Sequence, residues 1–287
     1  MNPKFLLMKE KAASALILFM TFASIHCQNS DAYQVYAIKF ENSFLAPASD
    51  IAVGASTGDS VRMCFMFWLL KGDNGRNILV DAGFIDSAAA ADRNYVRPDR
   101  MLQRINIFPE DITDIIVTHP HFDHIGGVNL FPKATVWMQK KDYYYFVGDA
   151  WQEDGFSEGF EKEDVRTILE INLQGRLTFV DGDNIEIMPG IKVYTGSKHT
   201  YENQYLLVNS NSESNKILIA SDAIWLYYNL DNLLTIPTYV FDPIAYVEAM
   251  KRMKTLVTNP DFIIPGHDDR VFSKFPEVYE GIVKIGN

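Results

Sequence analysis

THPHFDHIGG, Thr118 to Gly127, places three histidines and an aspartate within six positions, directly after the apolar run Ile115 to Val117 and directly before two glycines. His119 and His121 are two residues apart, a spacing that in an extended segment points both imidazoles to one side; Asp123 and His124 follow as the chain turns. Imidazole together with carboxylate is the ligand set of a borderline divalent ion such as zinc. Gly126 and Gly127 would let backbone pass close to such a site.

The whole chain has six histidines. His26 falls in a leader, which leaves His199 in IKVYTGSKHT and His267 in DFIIPGHDD. Each follows an apolar, strand-like run by a few residues, as the cluster does, and so does Asp222 at the end of KILIASD. In layered α/β folds ligands gather beyond the strand ends, so four separate segments can deliver side chains to one place.

The surrounding sequence alternates β and α signals. YQVYAIKF (33–40) and VRMCFMFWLL (61–70) read as strands, and GDNGRN turns the second into NILV. Arg97 to Ile107 reads as a helix with Pro98 in its first turn, and a helix is expected from Lys140. The aromatic, acidic and glycine-containing stretch 143–160 has no clear period and reads as a surface excursion or lid, with Trp151, Phe156 and Phe160 as its candidate contacts to a ligand. EKEDVRTILEIN resumes a helical pattern, and LTFV, NIEIMPGIKVY, QYLLVN and KILIASDA are strand-like. Asp242-Pro243 is an N-cap followed by a first-turn proline, opening a helix whose face is traced by Ile244, Val247, Met250 and Val257. Strands in two batches with helices between them indicate an α/β layered domain.

With 287 residues, 47% of them hydrophobic and 22% charged, the chain has material for a large core. A net charge of −11 lacks the basic footprint of a nucleic-acid binder. In the first thirty residues Lys4, Lys9 and Lys11 precede the uncharged run Ala12 to Ile25, long enough for the core of a signal peptide and too short to span a bilayer comfortably. Residues 1–27 are therefore expected to be a signal peptide, cut near 23–27, and residues 28–287 a single exported domain. A lipoprotein is the alternative, with Cys27 as the point of lipid attachment, although His26 makes a poor lipoprotein box. Cys27 and Cys64 are the only cysteines, so no disulfide framework or cysteine zinc site is expected.

THPHFDHIGG, with KHT, SDA and PGHD downstream in that order and ILVDAG upstream, resembles the metallo-β-lactamase superfamily of binuclear hydrolases over about residues 33 to 280. The resemblance implies a four-layer αβ/βα sandwich with its site at the edge between two stacked sheets. It implies that His119, His121 and His199 hold one metal, that Asp123, His124 and His267 hold the other, and that Asp222 bridges them. Asp81 of VDAG would orient a ligand without binding metal. NILVDAGF, FDPIAYVEAMKRMKTL and FIIPGHDDRVFSKFPE are most similar to the N-acyl-homoserine lactonase branch. The expected activity is then hydrolysis of an ester-type bond, a lactone above all, with two Zn²⁺ per chain activating a water and polarising the substrate carbonyl. Asp123 would shuttle the proton to the leaving oxygen.

Two positions depart from that branch. Its lactonases carry a tyrosine three residues after the bridging aspartate, where this chain has Trp225, with Tyr227 and Tyr228 just beyond; Trp225 and Tyr227 are the candidate substrate contacts. Asn203 stands where the branch has a further histidine. The partner expected is a small molecule. Hydrolysis of a β-lactam, thioester or aryl ester, a mononuclear iron persulfide dioxygenase, and a metal-binding protein without turnover stay open.

Overall fold

The computed structural model describes residues 32–85, 94–211 and 216–286. The expected leader, with His26 and Cys27, lies outside the described residues.

The first half of the chain runs β1 (Tyr33–Lys39), β2 (Phe44–Pro47), β3 (Ser60–Met63), β4 (Met66–Gly72), β5 (Asn77–Val80), α1 (Pro98–Gln103), β6 (Asp114–Ile116), α2 (Phe122–Ile125), β7 (Thr135–Gln139), α3 (Lys140–Val147), α4 (Lys162–Leu173) and β8 (Leu177–Val180). The second half runs β9 (Ile185–Met188), β10 (Ile191–Thr195), β11 (Gln204–Asn209), β12 (Lys216–Ser221), α5 (Tyr227–Asn232), α6 (Pro243–Leu256), β13 (Ile263–Pro265), α7 (Val271–Lys274), β14 (Glu277–Tyr279) and β15 (Ile282–Ile285). Two large sheets result, one of eight strands in the order β14-β15-β1-β4-β5-β6-β7-β8 and one of five in the order β13-β12-β11-β10-β9, and β2 pairs with β3 in a separate two-stranded ribbon. The pairings from β5 through β8 are parallel, as is β12 with β13.

The period of two along the strands builds the layers. In β4, Met66, Trp68 and Leu70 join the core cluster shared with the second sheet, while Phe67 and Leu69 join the cluster that faces Met101, Leu102, Tyr143, Phe146, Ile168 and Ile171 of α1, α3 and α4. The second sheet is buried on both faces, since Leu206, Leu207 and Val208 are all in the core that also takes Tyr246, Met250 and Met253 of α6. This is the αβ/βα four-layer sandwich that the resemblance implies.

Several local expectations change. VRMCFMFWLL is two strands, because the backbone of Cys64 turns aside to pair with His267 (Cys64 N to His267 O, 2.9 Å). The helix expected to Ile107 ends at Gln103, and Asn106 turns the chain with φ of 58°. Residues 143–160 are less of an excursion than their composition suggests: Tyr143, Phe146, Ala150 and Phe160 are core residues, and Trp151 packs against them. Asp242 caps α6, its side chain accepting from Ile244 N and Ala245 N, with Pro243 at the first helical position. Ile244, however, is 77% exposed, and the buried stripe is Tyr246, Ala249, Met250 and Met253.

Candidate metal centre

Every histidine among the described residues ends up in one place. Asp81 follows β5, His119 follows β6, His199 follows β10, Asp222 follows β12 and His267 follows β13; His121 precedes α2, which carries Asp123 and His124. The C-terminal strand ends of both sheets thus meet at one edge, as strand-end ligand sites do. The motif is tied to the second sheet by two bonds from Gln204, its N to Thr118 O at 2.9 Å and its Nε2 to Val117 O at 2.7 Å. The glycine pair has the expected use: Gly127 N donates to Gly83 O at 2.8 Å, and a Cβ at Gly127 would overlap the Ala82 carbonyl.

The chain bends sharply here. Asp81, Lys198, Ser221 and Tyr239 all have left-handed backbones, with φ of 62°, 57°, 46° and 55°. Outside glycine and asparagine such conformations cost energy and persist where the surroundings fix them.

Two ligand groups form: His119, His121, His199 and Asp222, and beside them Asp123, His124 and His267. In the first, His121 Nδ1 lies 3.0 Å from both His119 Nε2 and His199 Nε2. Metal–nitrogen bonds of 2.0–2.1 Å in a tetrahedron place ligand atoms about 3.3 Å apart, so nitrogens that converge this way fit a shared cation. Asp222 spans both groups. Its Oδ2 lies 3.3 Å from His199 Nε2, and its Oδ1 lies 3.0 Å from His267 Nε2 and 3.4 Å from His124 Nε2. Despite that proximity Asp222 Oδ1 and His124 Nε2 are buried without a hydrogen bond, because the directions are wrong. Buried polar atoms of this kind are costly unless satisfied, and here a metal ion would satisfy them.

Three of the ring nitrogens turned away from the centre are held, while His199 Nδ1 is buried without a hydrogen bond. His124 Nδ1 meets Asp81 Oδ2 at 2.8 Å, His267 Nδ1 meets Cys64 O at 3.1 Å and His119 Nδ1 meets Thr118 Oγ1 at 3.0 Å. Such outer contacts fix tautomer and ring orientation at metal sites. Asp81 also accepts from Thr118 N, Thr118 Oγ1 and Ser221 Oγ. Asn203 Oδ1 accepts from Ser197 Oγ and from the backbone of His199, so this departure from the lactonase pattern braces a ligand.

Protonation follows the same division. Burial, and then the neighbouring imidazoles, hold His119 and His121 well below the ordinary histidine range, so they are neutral and ready to ligate. Burial also disfavours charge on His124, but the carboxylates of Asp123, Asp222 and Asp81 outweigh it and raise its pKa well above the usual value. His267 is raised as well, burial being outweighed by Asp222 and Asp123. A cation bound in the second group would take the place of those protons.

A match to the metallo-β-lactamase superfamily covers residues 61–267, more than half of the sequence. The chain belongs to the metallo-β-lactamase superfamily. An N-acyl homoserine lactonase of a Bacillus species is 30% identical over 230 residues, 73% of this chain and 84% of that protein. The lactonase AiiA of Bacillus thuringiensis subsp. kurstaki is 25% identical over 249 residues, 80% of this chain and 92% of that one. The crystal structure of a quorum-quenching N-acyl homoserine lactone lactonase superposes with a TM-score of 0.68 at 24% identity, covering 88% of this chain and 98% of the other.

Beside the ligand groups of this superfamily member is a cleft of about 170 Å³, lined by His121, Asp123, Asp222 and His267 together with Phe65, Phe122, Trp225 and Tyr239. Phe65 and Phe122 are shared with an adjoining trough of about 500 Å³, which continues along Phe84 and Ile85. Trp225 packs near His199 and His267, with ring centroids 6.1 and 5.9 Å away. Tyr227 is elsewhere: it lines a separate surface hollow with Arg270 and Lys274, whose cations lie over its ring. The turn after Trp225 starts α5 and carries Tyr227 away from the cleft. Of the aromatic candidates from the 143–160 stretch, Phe160 reaches the site, its ring 5.4 Å from that of His121. Tyr239, in TIPTYVFDP, was not legible as a site residue because that segment has neither periodicity nor a motif.

Proposed function

We propose that the chain is a binuclear-zinc hydrolase that opens lactone rings, with N-acyl-homoserine lactones as the leading substrate class. The observation that carries this reading is the Asp222 carboxylate, whose oxygens reach both buried ligand groups, His199 in one and His267 in the other. A single-metal oxygenase has no use for the complete second group of Asp123, His124 and His267. The branch is supported by the lactonases among its relatives and by the small cleft that opens past Phe65 and Phe122 into a trough with Phe84 and Ile85 on one part of its wall and Glu161, Glu163 and Asp164 on another.

His119, His121 and His199 would hold one ion, Asp123, His124 and His267 the other, with Asp222 between them. When bound, such a zinc pair supplies Lewis acidity toward a carbonyl and a water of lowered pKa. The protein's part is to place the substrate and move protons. Asp123 lines the cleft, and its Oδ2 lies 3.2 Å from His124 Nε2, so one carboxylate is close to both the ligand cluster and the substrate space. From there it can pass a proton to the leaving alcohol oxygen. Phe65 and Phe122, at the junction of cleft and trough, are placed to take an apolar acyl chain and to keep water from it.

The charged and apolar pattern of residues 1–27 supports export of a mature chain from about residue 28, soluble or lipidated at Cys27. The N-terminal sequence and mass of protein recovered outside the cytoplasm test that part. No helix among the described residues is long and apolar enough to cross a membrane.

The function is tested by metal analysis and a substrate panel on the zinc-loaded mature protein: acyl-homoserine lactones of several chain lengths, simple lactones, aryl esters, a thioester, a β-lactam and a phosphodiester. Two zinc ions per chain and lactone turnover are expected. One iron per chain, or strong β-lactam or phosphodiester turnover without lactone hydrolysis, would overturn the reading.

A further inference from the structure

The cleft holds a proton donor that the motifs do not announce. Apart from the ligand residues, two of its lining side chains can donate a hydrogen bond, Trp225 and Tyr239. The indole Nε1 of Trp225 is buried from solvent, so a substrate in the cleft does not reach it as the ring stands. Tyr239 differs. It is half-buried, its ring stands edge-on to that of His121 with centroids 5.5 Å apart, and the Trp225 ring supports it at 6.1 Å.

The backbone at Tyr239 is held in a conformation that a bulky residue rarely adopts, φ of 55°. Two residues on, Phe241 N donates to Lys198 O at 2.7 Å, which ties this segment to the loop carrying His199. The carboxylate of Glu158, the residue before Gly159 of the cleft lining, is near the hydroxyl of Tyr239. Glu158 is exposed, so its carboxylate can return to water when a better acceptor reaches the phenol.

Resting on the lactone-hydrolase reading above, the geometry points to Tyr239 as a catalytic residue whose hydroxyl donates a hydrogen bond to the substrate carbonyl oxygen as negative charge develops on it. It is brought to the cleft by the segment between α5 and α6. Trp225, three residues after Asp222, forms the wall against which that phenol is fixed. No proton is transferred in this contact; the phenol keeps its proton throughout. A donor aimed at developing charge in a water-poor site lowers the barrier more than it strengthens ground-state binding.

The test compares zinc-loaded wild type, Tyr239→Phe and Trp225→Phe by steady-state kinetics on the best lactone or ester of the panel. Each protein is also measured for zinc content and, by calorimetry, for affinity toward the ring-opened N-acyl-homoserine. Tyr239→Phe is expected to keep its zinc, to lose about 100-fold in kcat with little change in KM, and to bind the product more weakly. Trp225→Phe should raise KM and leave the larger part of kcat. Tyr239→Phe within twofold of wild type in kcat and in product affinity overturns the role of Tyr239 alone. So does a Trp225→Phe variant that takes the kcat loss instead, or loss of zinc in Tyr239→Phe, which would make the tyrosine a support for His121. A wild type that turns over no lactone or ester overturns the function as well.

Discussion

Asp81 Oδ2 lies 2.8 Å from His124 Nδ1 while the same carboxylate also accepts from Thr118 and Ser221, so one side chain braces two of the strand ends that build the centre. All three partners deliver or adjoin ligands: Thr118 precedes His119, and Ser221 precedes Asp222. An amide in this place turns one acceptor into a donor facing donors. Asp81→Asn is therefore expected to lower metal affinity about 10- to 100-fold and to cost about 2 kcal/mol of stability. A chelator titration and a urea melt check both. Unchanged metal affinity would limit Asp81 to holding the fold.

How much of this could be read from the sequence depended on where each residue sat relative to a strand. His119, His199, Asp222 and His267 each follow a short apolar run, and the strand end fixes their direction, so their convergence was legible. Asp123 and His124 came with the same motif. Tyr239 and Glu158 are on segments without periodicity whose place is set by tertiary contacts alone. Tyr227 misled for a related reason: it is only two residues beyond Trp225, but the start of α5 rotates it to another face. The buried aromatics of 143–160 were hidden by acids and glycines interleaved with them, since a short helix followed by turns shows no sustained period.

Gly159 presses its backbone against the imidazole of His121. It has φ of 81°, and a Cβ there would stand 2.6 Å from His121 Cδ2. His121 has little room to withdraw, being 6% exposed and packed against Phe160 and Tyr239. Gly159→Ala combines backbone strain with displacement of a ligand, and should lower zinc affinity and reduce kcat/KM at least about tenfold. Zinc content and turnover at limiting metal measure it. Wild-type behaviour in both would show that the 155–160 loop moves freely away from the ligand.

His199→Ala and Tyr227→Phe separate the metal cluster from its surroundings. His199 is fully buried in the first ligand group, so the alanine variant is expected to retain about one zinc per chain, held by the second group, and to lose about 1,000-fold or more in kcat/KM. Tyr227 lines the separate hollow with Arg270 and Lys274, and Tyr227→Phe keeps its backbone bond to Asp268, so turnover should stay within twofold. Two zinc ions retained with full turnover in His199→Ala would refute the ligand assignment.

Asp142 on α3 offers a pH test clear of the metal cluster. Its carboxylate accepts from Thr200 Oγ1 at 2.8 Å and from Glu202 N at 3.1 Å, fixing the loop just after His199. Burial pushes its pKa up from 3.8 to about 7, against the opposing effect of those hydrogen bonds. Between these two values the folded protein holds a proton that the unfolded chain has released, so stability falls as pH rises from about 4 to about 7. Above that window the residue is ionised in both states and the penalty is complete. Asp164, also raised to about 7 by burial and by Glu161 and Glu163, adds a slope of the same sign. Asp142→Asn removes only the Asp142 share, while the histidine cluster and Asp164 titrate alike in both proteins and cancel. Urea melts of wild type and variant from pH 5 to 8.5 should therefore show the wild-type advantage shrinking as pH rises. A difference that stays constant across that range would mean that Asp142 is ionised throughout, its hydrogen bonds to Thr200 and Glu202 outweighing its burial.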